Sequence, residues 1–157
     1  MKIKIITVGS PKHDFVKNAV IHFQKHLKKY TSVTIDEIKP EKIMPHKLKT
    51  TILENEANAI LKRITPSDYI IVLDDAGKEL SSREFSLFLT ESSNRSIKYL
   101  TFIIGGPFGL DQSIKEAARM KLSLSKMTFS HETILPILLE QLYRAFAILH
   151  NEPFAKY

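Results

Sequence analysis

Two near-continuous apolar runs set the strongest limit on how this chain folds. Asp68 to Leu73, which contains Tyr69-Ile70-Ile71-Val72-Leu73, and Lys98 to Ile104 show no polar alternation. A strand with one face in water alternates; an unbroken run belongs to a strand covered on both faces, as in a parallel sheet. The first run is followed by Asp74 to Lys78, which reads as a turn around Gly77. The second ends in Gly105-Gly106-Pro107-Phe108-Gly109. Around these strands the pattern alternates between strand and helix.

The spacing predicts a strand from Lys2 to Gly9, stopped by Gly9, Ser10 and Pro11. A surface helix follows from Asp14 to Lys29, with Phe15, Ala19, Ile21, Phe23 and Leu27 as its loosely spaced apolar positions. Ser32 to Ile38 is a second strand, and Pro40 and Pro45 bracket a basic loop. Leu48 to Ile64 is helical. Ser81 and Glu84 have capping-box spacing, so a helix begins there and runs to about Ser92. A helix opens near Asp111, Lys121 to Leu124 is a short strand, and Thr133 to His150 is the last helix, with Pro136 in its first turn. Strand–helix alternation predicts an α/β fold, a mainly parallel sheet with helices on both faces, in a single domain of residues 1–157.

The last helix is apolar nearly all round, which predicts burial of more than one face and a second copy of the chain against it. A net charge of +6 favours polyanionic partners. The absence of cysteine excludes disulfides and thiolate metal sites and leaves the redox compartment undetermined. No apolar stretch approaches the roughly 18 residues of a membrane span, and the N-terminus reads as a strand, so a cytoplasmic protein is expected. The six histidines show no metal-binding spacing, so no metal is expected.

Ligands of parallel sheets bind beyond the carboxyl ends of the strands. Three loops should meet there: Asp74–Gly77, Gly105–Gly109 and Ser125–Thr128. The glycines allow either a tight turn or a close backbone approach to a ligand. No GxGxxG or Walker pattern is present. Leu122-Ser123-Leu124-Ser125-Lys126-Met127-Thr128 reads either as a half-buried edge strand or as a loop offering amides and hydroxyls to an adenosine. Glu140 and Arg144, four apart on the last helix, form either an ordinary ion pair or an arginine oriented to grip phosphate or a base. His131, in the loop before that helix, can reach a site.

Taken together and in order, these segments resemble one family. Leu73-Asp74, Ile104 to Leu110, Leu122 to Thr128 with His131, and Glu140-Gln141-Leu142-Tyr143-Arg144-Ala145 are similar to the ribosomal RNA large subunit methyltransferase H family of the SPOUT superfamily. The resemblance covers the whole chain and is most specific in its C-terminal third. It implies a C-terminal trefoil knot, a homodimer, and S-adenosyl-L-methionine bound by the knot loops. It also implies methylation of N3 of a pseudouridine in 23S ribosomal RNA on the assembled ribosome. Carried over by position, Leu73, Gly105, Leu124, Ser125, Lys126, Met127, Thr128 and Phe129 are the implied cofactor contacts. Arg144 with Glu140 is the implied RNA or target-base site.

The tail departs from the family. Where relatives end in Asn-His-Pro-Tyr-His and a basic residue, this chain has Asn151-Glu152-Pro153-Phe154-Ala155-Lys156-Tyr157. Phe154 can stack on a base, and Lys156 can help position RNA, but Ala155 can do no acid–base work. Glu152, Tyr157 or His131 is then the candidate to supply part of the missing function. Two rival readings follow: a catalytically impaired ribosome- and RNA-binding protein of the same fold, and a flavodoxin-like nucleotide-binding module, which leaves the apolar last helix unexplained.

Overall fold

A computed structural model describes residues 1–153; Phe154 and Lys156 lie outside the described residues. In chain order the elements are β1 (Lys2–Val8), α1 (Asp14–Leu27), β2 (Val33–Ile38), α2 (Lys49–Leu61) and β3 (Asp68–Glu79). They continue with α3 (Ser82–Asn94), β4 (Tyr99–Ile104), α4 (Gln112–Ala117), β5 (Met120–Ser123) and α5 (Ile134–Leu149). The five strands form one sheet in the order β2-β1-β4-β3-β5, and every pairing is parallel. All carboxyl ends therefore lie along one edge.

The unbroken apolar runs occupy the centre of this sheet. In β4, Leu100, Phe102 and Ile104 face one layer with Ile3 and Ile5 of β1, while Ile103 faces the other with Ile6 and Val8. Side chains of successive strand residues point to opposite faces, so a two-faced core requires both sets to be apolar. Helices α1, α3 and α5 supply Val20, Leu27, Phe85, Leu89 and the leucines of α5 to the first layer. Helices α2 and α4 supply Ala57, Ile60 and Ile114 to the second.

In α1 the buried stripe is Val16, Val20 and Leu27, with Phe23 half buried. Phe15 and Ile21, two of the loosely spaced apolar positions read from the sequence, are 68% and 63% exposed. The steps of four and seven between the buried residues lie on one helical face; Phe15 and Ile21 fall outside it. The capping box of α3 forms in full: the Ser81 hydroxyl accepts from the Glu84 N–H, and the Glu84 carboxylate accepts from the Ser81 N–H at 2.7 Å.

The turn expected at Asp74–Lys78 does not end its strand. β3 pairs with β5 through Leu73↔Leu122, bulges, and pairs again through Lys78↔Leu122 and Glu79↔Ser123. Within the bulge, Asp74 Oδ1 accepts from the Ala76 N–H at 3.0 Å, a local turn. Gly77 then returns the chain so close to β5 that a Cβ there would lie 2.7 Å from the carbonyl carbons of Lys121 and Leu122. The turn chemistry is present, but the absence of a side chain at Gly77 lets the ladder resume.

α5 packs against both α1 and α3. Leu135, Leu138, Leu139, Leu142, Ala145 and Ala147 are buried, and the remaining residues from Ile134 to Ile148 are half buried. Among the described residues, no helix is long and apolar enough to cross a membrane.

Candidate functional site

The three loops meet beyond the carboxyl ends of β3, β4 and β5. They enclose a cavity of about 400 Å³, lined by Leu73, Asp74 and Asp75, by Ile104 to Leu110, by Leu122 to Ser125, and by Met127, Thr128, Phe129, His131 and Ile134, with Lys115 reaching in from α4. Cavities of roughly 300–1,000 Å³ with mixed lining suit small organic ligands.

The middle wall is backbone. A Cβ at Gly105 would fall 2.6 Å from the carbonyl carbon and oxygen of Gly109, so the loop closes on itself only with glycine there. Gly109 has φ +81°, in the left-handed region, and its N–H donates to the Gly106 carbonyl at 2.9 Å. The glycine-rich segment is thus a tight turn and a wall of the cavity at once.

On one flank, Lys115 Nζ pairs with Asp74 Oδ2 at 2.7 Å. That hydrogen bond, aided by the Ala76 N–H, outweighs burial and holds the Asp74 carboxyl below the usual carboxylate range. Asp75 is exposed beside it. On the other flank the serines fold their own loop. The Ser123 hydroxyl, buried, donates to the Ser125 carbonyl at 2.9 Å, and the Ser125 hydroxyl accepts from the Met127 N–H at 2.9 Å. β5 is an edge strand, as one reading of the Leu122–Thr128 run has it, and its continuation lines the cavity. Met127 and Phe129 present apolar surface at the mouth, 76% and 38% exposed.

His131 lies between this cavity and a smaller recess lined by Thr7, Gly9, Ser10, Pro11, Glu132 and Leu135. Glu132 ties the loop after β1 to the start of α5: its carboxylate accepts from the Lys12 N–H and pairs with His13 Nδ1 at 3.0 Å. The His13 contact, more than the amide, keeps the Glu132 carboxyl below its ordinary range.

Of the residues carried over to the cofactor, Leu73, Gly105, Leu124, Ser125, Met127, Thr128 and Phe129 converge on the cavity. Lys126 belongs to the same loop but is exposed and outside the wall. Arg144 and Glu140 pair at 2.9 Å, both half buried, along α5 and away from the cavity. Sequence reasoning missed Lys115 and did not single out Phe108. Phe108 sits inside a glycine segment already under suspicion. Nothing separates Lys115 from the other lysines until α4 swings it over β3. Among the described residues, no group of three or more His, Asp or Glu side chains is placed to hold a metal ion.

The chain matches known proteins over nearly its whole length. The family described as "Predicted SPOUT methyltransferase" matches residues 1–154. The chain belongs to this SPOUT methyltransferase family. Within it, the chain is 40% identical to the putative ribosomal RNA large subunit methyltransferase H of Methanococcus vannielii, over 99% of this chain and 100% of the relative. It is 40% identical to the ribosomal RNA large subunit methyltransferase H of Carboxydothermus hydrogenoformans, with the same coverage. The Clostridium botulinum protein of that name is 42% identical over 99% of this chain and 100% of its own. Among solved structures, the SPOUT chain resembles a tRNA (m1G37) methyltransferase from Aquifex aeolicus at a TM-score of 0.54. That match covers 92% of this chain and 70% of the other at 12% identity, a likeness of fold.

Proposed function

We propose that this chain is a single methyltransferase domain, residues 1–157, that methylates N3 of a pseudouridine in 23S ribosomal RNA. It does so with S-adenosyl-L-methionine, on the assembled ribosome, as a cytoplasmic homodimer whose C-terminal part is threaded as a trefoil knot. The names of relatives near 40% identity over the whole chain support the ribosomal RNA substrate. The observation that carries the chemistry is the three-loop cavity whose central wall is Gly105 backbone.

The residues present fit an adenosine bearing a charged sulfonium. Leu73, Leu124, Met127 and Phe129 offer apolar surface, the Gly105–Gly109 turn contributes backbone to the wall, and Ser125 and Thr128 offer hydroxyls. Lys126 serves the mouth of this site. When bound, S-adenosyl-L-methionine supplies an electrophilic methyl group. The chain's own work is to exclude water, orient the acceptor nitrogen and take up its proton, and positioning is usually the larger share. The Asp74–Lys115 pair fixes the β3 side of the wall. His131 is the histidine of that wall and can accept the proton.

Arg144 lies ten residues beyond Ile134, which lines the cavity. At a rise of 1.5 Å per residue that is roughly 15 Å along α5, too far for Arg144 to hold a base reacting in its own cavity. The target base therefore belongs between the cavity of one copy and Arg144, with the Phe154–Lys156 tail, of the other. Glu140 keeps the guanidinium oriented. Glu152 is paired with Lys29, which keeps its carboxyl below the ordinary range, so it suits an anchor of the tail better than a base.

Mapping the product decides the specificity. Ribosomes lacking the modification, treated with the protein and cofactor, should yield N3-methylpseudouridine in 23S RNA on nuclease digestion and mass analysis. A methyl group at another atom, or on another RNA, would overturn the assignment.

A further inference from the structure

We propose that the loop between β2 and α2, residues 39–48, is an arm that grips the ribosomal RNA phosphate backbone beside the cavity; this rests on the ribosomal RNA reading above. From Lys39 to Lys49 the sequence carries four lysines and His46 against the single acid Glu41. The loop follows the carboxyl end of β2, on the edge where the cavity opens. β2 is two strands from β4, about 10 Å at the usual spacing, and the gap is bridged: Lys49 Nζ lies over the Phe108 ring of the cavity wall, 5.5 Å from its centroid.

The arm is held at its base and open at its tip. The Glu41 N–H donates to buried Glu56 Oε1 at 3.1 Å. The other carboxylate oxygen of Glu56 lies 3.4 Å from where a Cβ of Gly106 would stand, so one side chain braces both the arm and the glycine loop. Lys47 pairs with Glu41, and its N–H donates to the Met44 carbonyl at 3.0 Å, closing a turn at the tip. Lys39, Lys42 and His46 are exposed and enter no ion pair among the described residues. Between them Ile43 and Met44 are 61% and 44% exposed. Lysines without ion-pair partners among the described residues, on a pinned loop next to the proposed methyl-transfer cavity, meet the needs of a phosphate backbone, and the apolar tip can rest on sugar or base faces.

The test compares wild type with Lys39→Gln/Lys42→Gln on ribosomes over a series of salt concentrations. A control, Lys2→Gln/Lys98→Gln, removes the same charge from exposed positions at the amino-terminal edge of the sheet. The arm variant should raise KM for ribosomes about tenfold and leave kcat and cofactor affinity within about twofold. It should also make log affinity against log salt shallower by about 1.4, from two lost contacts at roughly 0.7 each for non-duplex RNA. The control should match wild type. An arm variant with wild-type KM and salt slope would overturn the proposal. So would weakened binding by Ile43→Ser/Met44→Ser with lysine replacement silent, since that would mark a protein partner. A wild-type chain that neither binds nor methylates ribosomes would instead overturn the reading beneath it, before any variant is compared.

Discussion

Lys115 and Asp74 meet at 2.7 Å across the cavity wall, joining a six-residue helix to the bulge of an interior strand. The Asp74 side chain is 7% exposed and that of Lys115 29%. Lys115→Met leaves a nearly buried carboxylate without its cation, which costs about 1–3 kcal/mol. The variant should lower the denaturant midpoint and weaken cofactor binding in calorimetry. The Lys115 hydrogen bond depresses the folded-state value of Asp74. The stabilisation is therefore present above the unfolded carboxylate value of about 3.9 and is lost as pH falls through the lower folded value. The gap between wild type and variant should be full at neutral pH and close in strong acid. A gap that widens in acid would refute the pairing.

Glu56 behaves with the opposite sign. Burial pushes its carboxyl up, against the pull of the Glu41 N–H. The folded state thus favours the protonated form, so its stability is greatest below the unfolded value of about 4.3 and falls as pH rises through the raised folded value. Glu56→Gln keeps an oxygen for the Glu41 N–H and removes the charge. Thermal unfolding between pH 4 and 8 should find the variant at least as stable as wild type at neutral pH and flatter across the range. A variant less stable throughout would mean that the charged carboxylate is itself favourable.

How far these sites were legible in the sequence depends on whether their signal is local. The apolar runs ending at Leu73 and Ile104 announced a covered parallel sheet because burial on both faces leaves no freedom of pattern. Ser81 and Glu84 announced a helix start because both bonds of a capping box lie within one turn. The meeting of the three loops followed from strand direction alone. Gly77 was read as a turn, yet it serves a contact with Lys121 and Leu122, more than 40 positions away, which no local pattern encodes. Lys115 was missed for the same reason. Phe15 was read as one of the loosely spaced apolar positions of a surface helix and is exposed, while Val16, one position on, is the residue at 1% exposure.

Gly105→Ala places a methyl group 2.6 Å from the Gly109 backbone. Overpacking of this kind costs about 1–3 kcal/mol, so the protein should still fold while its glycine loop shifts. Cofactor binding should fall below detection in calorimetry with the unfolding transition lowered but cooperative. Wild-type affinity would show that the loop is not the wall of the cofactor site.

Arg144→Ala should leave cofactor affinity at the wild-type value, because the residue lies along α5 outside the cavity. Methyl transfer to ribosomes should weaken by about 1–3 kcal/mol, the usual worth of one good polar contact to a base. Steady-state kinetics with ribosome as the varied substrate reads this directly. A variant that loses cofactor binding and transfer together would place Arg144 in the cofactor site instead.

The most direct measurement is transfer of labelled methyl from S-adenosyl-L-methionine to intact ribosomes that lack the modification, with protein-free 23S RNA alongside. The account predicts incorporation into the ribosomes and none into the free RNA, despite the replacement of the family's tail residues by Glu152, Phe154 and Ala155. Cofactor binding without incorporation into either would contradict it and leave a catalytically silent RNA-binding protein built on the same cavity.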